Sequence, residues 1–119
     1  MEVIPFRAEH SFVSTGTEVV FDGTSAQAVT FQSPGAGNSR FYDVLISNST
    51  GVNFNTDVYN AHDLDLTGVL GVAASTTLDI ISAFYLRSGA TLNNAGIVNA
   101  GTCPVQDGTV TGNAVNCIG

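Results

Sequence analysis

Lysine is absent from the 119-residue chain, and its three basic residues, Arg7, Arg40 and Arg87, stand alone in the sequence. Against ten acids they leave a net charge of −7. A surface for nucleic acid or an anionic membrane needs clustered cations to neutralise phosphates, so neither partner is expected. Long apolar runs are missing as well. Nothing approaches the roughly 18 residues that cross a bilayer as a helix, and no membrane insertion is expected. The opening MEVIPFRAEH carries Glu2 and lacks the apolar core of a signal peptide, so it reads as the start of a mature protein, or as a piece of a longer exported one with Met1 added. Charged residues make up only 11%, under half the usual share, while apolar residues reach 44%. A core can therefore form, and the polarity rests on Asn, Ser, Thr and Gly, the vocabulary of strands and turns.

Cysteine is scarce too. Cys103 and Cys117 are the only two, 14 residues apart in a Gly/Asn/Thr-rich tail. A structural metal site wants four ligands, and neither His10 nor His62 is near them in sequence. A disulfide suited to an exported protein is the expectation, with two free thiols as the alternative. Closing a loop of that size contributes roughly 3 kcal/mol in the chain-entropy model. Helical periodicity is nearly absent. Only GVAASTTLDIIS (71–82) passes for a short amphipathic helix, and its β-branched content favours strand. The fold class is all-β.

What is present is a repeat. Residues 41–60, 61–80 and 81–100 superimpose without a gap as FYDVLISNSTGVNFNTDVYN, AHDLDLTGVLGVAASTTLDI and ISAFYLRSGATLNNAGIVNA. Four columns are apolar in every row: Val44, Leu64 and Phe84; Ile46, Leu66 and Leu86; Val52, Val72 and Leu92; Val58, Leu78 and Val98. The first two columns lie two residues apart and so point to one side of a strand, while the others fall on separate short strands beyond turns. One row is then one coil of three strands, and the columns are ladders inside a right-handed parallel β-helix whose coils take about 20 residues. The alternative is chance periodicity in a β-sandwich. Residues 18–40 read as an earlier, irregular coil, with Gly35 and Gly37 in the loop that delays the next one. The domain is thus single: an N-terminal strand or cap at 1–17, coils at 18–100 and a disulfide-closed C-terminal cap at 101–119.

These residues carry a resemblance. Phe21, Gly23 and Gln27, then Phe41, Val44, Ile46 and Asn48, then Gly51 and Val52, and finally Leu64, Leu66 and Gly68 follow the steps Phe-x-Gly-x-x-x-Gln, Phe-x-Asn-Leu-x-Ile-x-Asn, Gly-Val and Leu-x-Leu-x-x-Gly. The pattern resembles the coil repeats of large secreted bacterial β-helix proteins, adhesin-like and mostly uncharacterised. It departs at Asp43, where Asn is usual, and in the inserted QSPGAGNSR. The resemblance covers residues 18–100 and implies a secreted or cell-surface location; it does not imply an activity, because such coils are scaffolds on which function varies.

Chemistry on the outer face is thin. Asp43 and Asp63 share a column and would stack about 5 Å apart, with Asp65 one strand step away. That trio is the candidate for cation or carbohydrate contact, and Ca²⁺ is the one cofactor its oxygens would suit. Solvated carboxylates are the plainer reading, since the Gly-Gly-x-Gly-x-Asp calcium repeat of other solenoids is absent. No Ser or Cys stands in a nucleophile motif near His10 or His62. Tyr42, Tyr59 and Tyr85 read as half-buried coil flanks, and the Asn residues as turn formers. No column of outward Thr suggests an ice-binding face. The expected function is non-enzymatic: an extracellular structural or adhesive module that self-associates by end-to-end stacking, by strand addition from Val3, Ile4 and Phe6, or as a trimer. The alternative is a carbohydrate-binding or carbohydrate-cleaving β-helix that uses Asp43, Asp63 and Asp65.

Overall fold

A computed structural model describes residues 6–8, 18–31, 34–35 and 40–118, with side chains excepted at 6–8 and 103–106. In chain order the strands are β1 (Phe6–Ala8), β2 (Glu18–Phe21), β3 (Gln27–Phe31), β4 (Asp43–Ile46), β5 (Val52–Phe54), β6 (Val58–Asn60), β7 (Leu64–Leu66), β8 (Val69–Val72), β9 (Thr77–Leu86), β10 (Thr91–Asn94), β11 (Ile97–Gln106), β12 (Thr109–Gly112) and β13 (Asn116–Cys117). Every pairing between them is parallel. Among the described residues there is no helix, and so none long and apolar enough to cross a membrane. The protein is a β-solenoid.

Three ladders run along it. One face stacks β2, β4, β7 and the second half of β9. A second stacks β1, β3, β5, β8, β10 and β12. The third stacks β6, the first half of β9, the first half of β11, and β13. β9 and β11 span ten residues each because they run on from the third face into the first. The pairing of β9 breaks between Ile80 and Leu64's partner Phe84, which marks the corner. There the coils press together: a Cβ on Gly101 would overlap the Ile81 carbonyl oxygen, so the chain needs glycine at that position.

The register follows three of the four columns read from the sequence. Val44, Leu64 and Phe84 are partners, as are Ile46, Leu66 and Leu86, and so are Val58, Leu78 and Val98. The irregular first coil also joins, with Val19 beside Val44 and Gln27 beside Val52. The remaining column is corrected at Val72. Val52 faces Leu70, which faces Leu92, while Val72 lies between Phe54 and Asn94. The cause is a pair of compensating corners. From Leu66 to Leu70 the chain takes four residues, where between their partners Ile46 and Val52 it takes six. The two residues saved return between Val72 and Leu78, where Ser75 takes a left-handed φ of 63°. The tight corner demands glycine, because a Cβ on Gly68 would overlap the Asn48 carbonyl oxygen, the acceptor of the Val69 N–H at 3.0 Å. All twelve ladder residues are buried.

Filling of the interior changes along the axis. Phe21, Phe31, Phe41 and Phe54 crowd the first coils, with Phe41 edge-on to Phe21 at 5.9 Å and tilted against Phe31 at 5.2 Å. Leu and Ile predominate from Leu64 to Leu92, with Phe84 among them, and the core then tapers through Ala100 to the partly buried Val110 and Val115. Residues 101–118 continue the solenoid rather than leave it. Leu92 pairs with Val110, and Ala100 with Cys117. Parallel pairing is made by the backbone, so it persists where the inward apolar columns thin out. Cys117 is not a free thiol. The side chain of Cys103 lies outside those described, and the bridge expected between them remains a proposal. At the other end Phe6 sits opposite Val29, while Val3 and Ile4 lie outside the described residues.

Candidate functional site

Asp43 opens β4 and Asp63 immediately precedes β7, each one residue before an inward side chain of the first face, and there the solenoid gathers its charge. Asp43 accepts a hydrogen bond from the backbone N–H of Asp63 at 3.1 Å, and Asp63 accepts one from the N–H of Ala83 at 3.0 Å. Each carboxylate thus holds the start of the next coil's strand, a structural reason for aspartate at both positions. Asp57 does the same for the Thr77 N–H at 2.8 Å, next to the third face.

His62 completes the group. Its Nδ1 lies 2.7 Å from Asp43 Oδ1 and 3.7 Å from Asp63 Oδ2. The ring stacks on Tyr42, with centroids 4.7 Å apart and planes 9° from parallel. The hydrogen bond to Asp43 raises the His62 pKa above its ordinary value, desolvation opposes the rise, and the charges of Asp63 and Asp43 add to it. The side chains are partly open to water, 42% for His62 and 32% for each acid, so the cluster is accessible to solutes.

Asp65 has a partner of its own. Arg87 grips it from the next coil in a two-pronged ion pair, Nε to Oδ1 at 3.0 Å and Nη2 to Oδ2 at 2.9 Å. The same guanidinium lies 4.6 Å over the Tyr85 ring. Asp65 holds Arg87 in its charged form, raising its pKa above the ordinary value. All three aspartates still line one shallow depression of about 160 Å³, with Glu18 and Tyr85. Glu18 pairs with Asp43 and carries the acidic column one coil further.

Sequence reasoning passed over His62 as a lone histidine. The signal that could have found it was the repeat itself: Tyr42-Asp43 and His62-Asp63 occupy the same two columns. Tyr42, Tyr59 and Tyr85 are all half-buried. Asn48, Asn60 and Asn94 are buried, whereas Asn53, Asn55 and Asn93 are exposed. The Asn48 amide nitrogen donates to Ser25 O and Gln27 Oε1, so although Asn48-Ser49-Thr50 matches the acceptor pattern for N-linked glycans, a glycan there would be incompatible with the folded coil. On the third face Asn99 donates to Asp79 at 2.9 Å and Asn116 to Asn99 at 3.1 Å, a polar ladder across three coils.

No family model, no curated protein and no solved structure matches the chain.

Proposed function

We propose that the chain is a non-enzymatic structural or adhesive module of a secreted or cell-surface protein, a right-handed solenoid that assembles end to end with copies of itself. The observation that carries this is the six-stranded sheet, whose two outermost strands are β1 and β12. Among the described residues β12 pairs on one edge only, with β10. Such an edge is a template for another parallel strand, and joining the β12 end of one copy to the β1 end of the next is a head-to-tail contact that builds open filaments. The acids support a non-catalytic role, because Asp43 and Asp63 anchor strand starts and Asp65 is held by Arg87. In this reading a Cys103–Cys117 bridge ties β13 to the last turn. Intact mass before and after reduction tests it, and an unchanged mass removes the bridge.

Light scattering after size exclusion, and negative-stain microscopy over a range of concentrations, test the assembly. Rods or discrete oligomers are expected, and a strictly monomeric protein at high concentration overturns it. Thr109 and Asn113 direct their N–H groups to the coil before, at Ala90 O and Asn94 O, so in a parallel strand the N–H of Val110 faces the open edge. Val110→Pro removes that donor at an edge position that tolerates proline, and should dissolve the assemblies while leaving the monomer folded.

A second reading has its own support in the depression lined by Asp43, Asp63, Asp65 and Tyr85. Acids beside an aromatic ring suit a sugar, and the role is then carbohydrate binding or cleavage. A polysaccharide panel with and without Ca²⁺ decides, and activity that survives Asp63→Asn rules out this site.

A further inference from the structure

We infer that Asp43, His62 and Asp63 form a binding site for a divalent transition-metal ion of the Zn²⁺ class, distinct from the assembly role above. One ligand atom from each residue lies within 4.8 Å of the other two. Nδ1 of His62 stands 2.7 Å from one carboxylate oxygen and 3.7 Å from the other. A tetrahedral ion with bonds of about 2.0–2.1 Å separates its ligand atoms by about 3.3 Å, a value between those two distances. The ion takes the place of the hydrogen bond between Nδ1 and Asp43, and the side chains move by less than about 1 Å. An imidazolium gives its Nδ1 proton to water, whereas a neutral ring carries its one proton on Nε2, so in both cases Nδ1 binds as part of a neutral imidazole.

The supports of the three ligands are already set. Asp43 Oδ1 takes the Asp63 N–H and Asp63 Oδ1 takes the Ala83 N–H, which leaves Asp63 Oδ2 turned toward His62. The Tyr42 ring fixes the plane of the imidazole. Such outer hydrogen bonds and packing orient ligands and tune affinity in metal sites. Charge fits as well: two carboxylates and a neutral imidazole balance a divalent ion, while Asp65 is neutralised separately by Arg87. The donor set decides the metal. Ca²⁺ takes six to eight oxygens, whereas an imidazole with two carboxylates and open positions for water favours Zn²⁺, Ni²⁺ or Cu²⁺. The ion would bind on the outer surface and clip two successive coils together.

Calorimetric titration of the untagged, full chain with Zn²⁺ tests this. One ion per chain is expected, with Ca²⁺ failing to compete. His62→Gln and Asp43→Asn should each weaken binding by roughly 10–100-fold or more, while His10→Gln and Asp79→Asn leave it unchanged. No Zn²⁺ binding by the unaltered chain overturns the proposal. So does binding that His10→Gln abolishes and His62→Gln spares, or binding that Ca²⁺ matches. Should His62→Gln fail to fold, a Zn²⁺ titration of the unaltered protein followed at the imidazole signals decides alone: His62 shifts and His10 does not if the site is correct, and the reverse pattern sinks it.

Discussion

Asn48→Ala removes four hydrogen bonds from a side chain that is 1% exposed. The amide donates to Ser25 O at 2.7 Å and Gln27 Oε1 at 2.8 Å, and its oxygen accepts the N–H groups of Thr50 at 2.8 Å and Gly51 at 3.0 Å. The four losses are unequal. Ser25 and Thr50 are exposed, so water replaces much of what Asn48 supplied. Gly51 and Gln27 are buried, and each loses a partner that water reaches poorly. At about 1–3 kcal/mol for each buried polar group left short of a partner, the substitution should cost about 2–6 kcal/mol. That is a large part of the roughly 5–15 kcal/mol that holds a domain together. Urea unfolding followed by far-ultraviolet circular dichroism measures the loss, with Asn55→Ala as a control at an exposed position expected to stay within about 0.5 kcal/mol. If Asn48→Ala costs no more than this control at an unchanged m-value, the corner is not held by its asparagine and the reasoning fails.

Two further outcomes follow from the coil geometry. Gly68→Ala should cost about 1–3 kcal/mol, since the added methyl displaces the Asn48 carbonyl in a packed corner; stability equal to the parent would show that the corner yields freely. In metal-free buffer the nuclear magnetic resonance titration of His62 should have its midpoint above the ordinary histidine value, and Asp43→Asn should lower it. Because the folded pKa is raised, the stability from this ion pair is fully present below the ordinary value and is lost as pH rises through the folded one. A midpoint at or below the ordinary value refutes the pairing.

How far the sequence could be read depended on where the chain keeps a period of 20. Val44, Leu64 and Phe84 were legible because neither insertion nor deletion separates them, and burial on one side of a parallel strand forces an apolar residue at each rung. Val72 was misplaced because a short corner and a long one cancel, which preserves the period while shifting one strand by two residues. The last turn was hidden by shorter steps: Leu92 to Val110 takes 18 residues and Ala100 to Cys117 takes 17. At the site, Asp43 and Asp63 were visible as a column. Arg87 was not an evident partner for Asp65, because it reaches back 22 residues, from beyond the end of its own strand. Side-chain reach of that kind leaves no trace in hydrophobic periodicity. His62 left a trace only in combination with Tyr42, since a lone histidine has no period.

Strand pairing joins each turn only to the turn before and the turn after, Val44 to Leu64 and Leu64 to Phe84, so the solenoid behaves as a spool. Tension on an end would draw it out one turn at a time, and a turn of 20 residues pulled straight spans about 66–72 Å. In those mechanical terms the chain stores length as well as shape, and an ion or bridge that clips two turns together sets the point at which paying out stops.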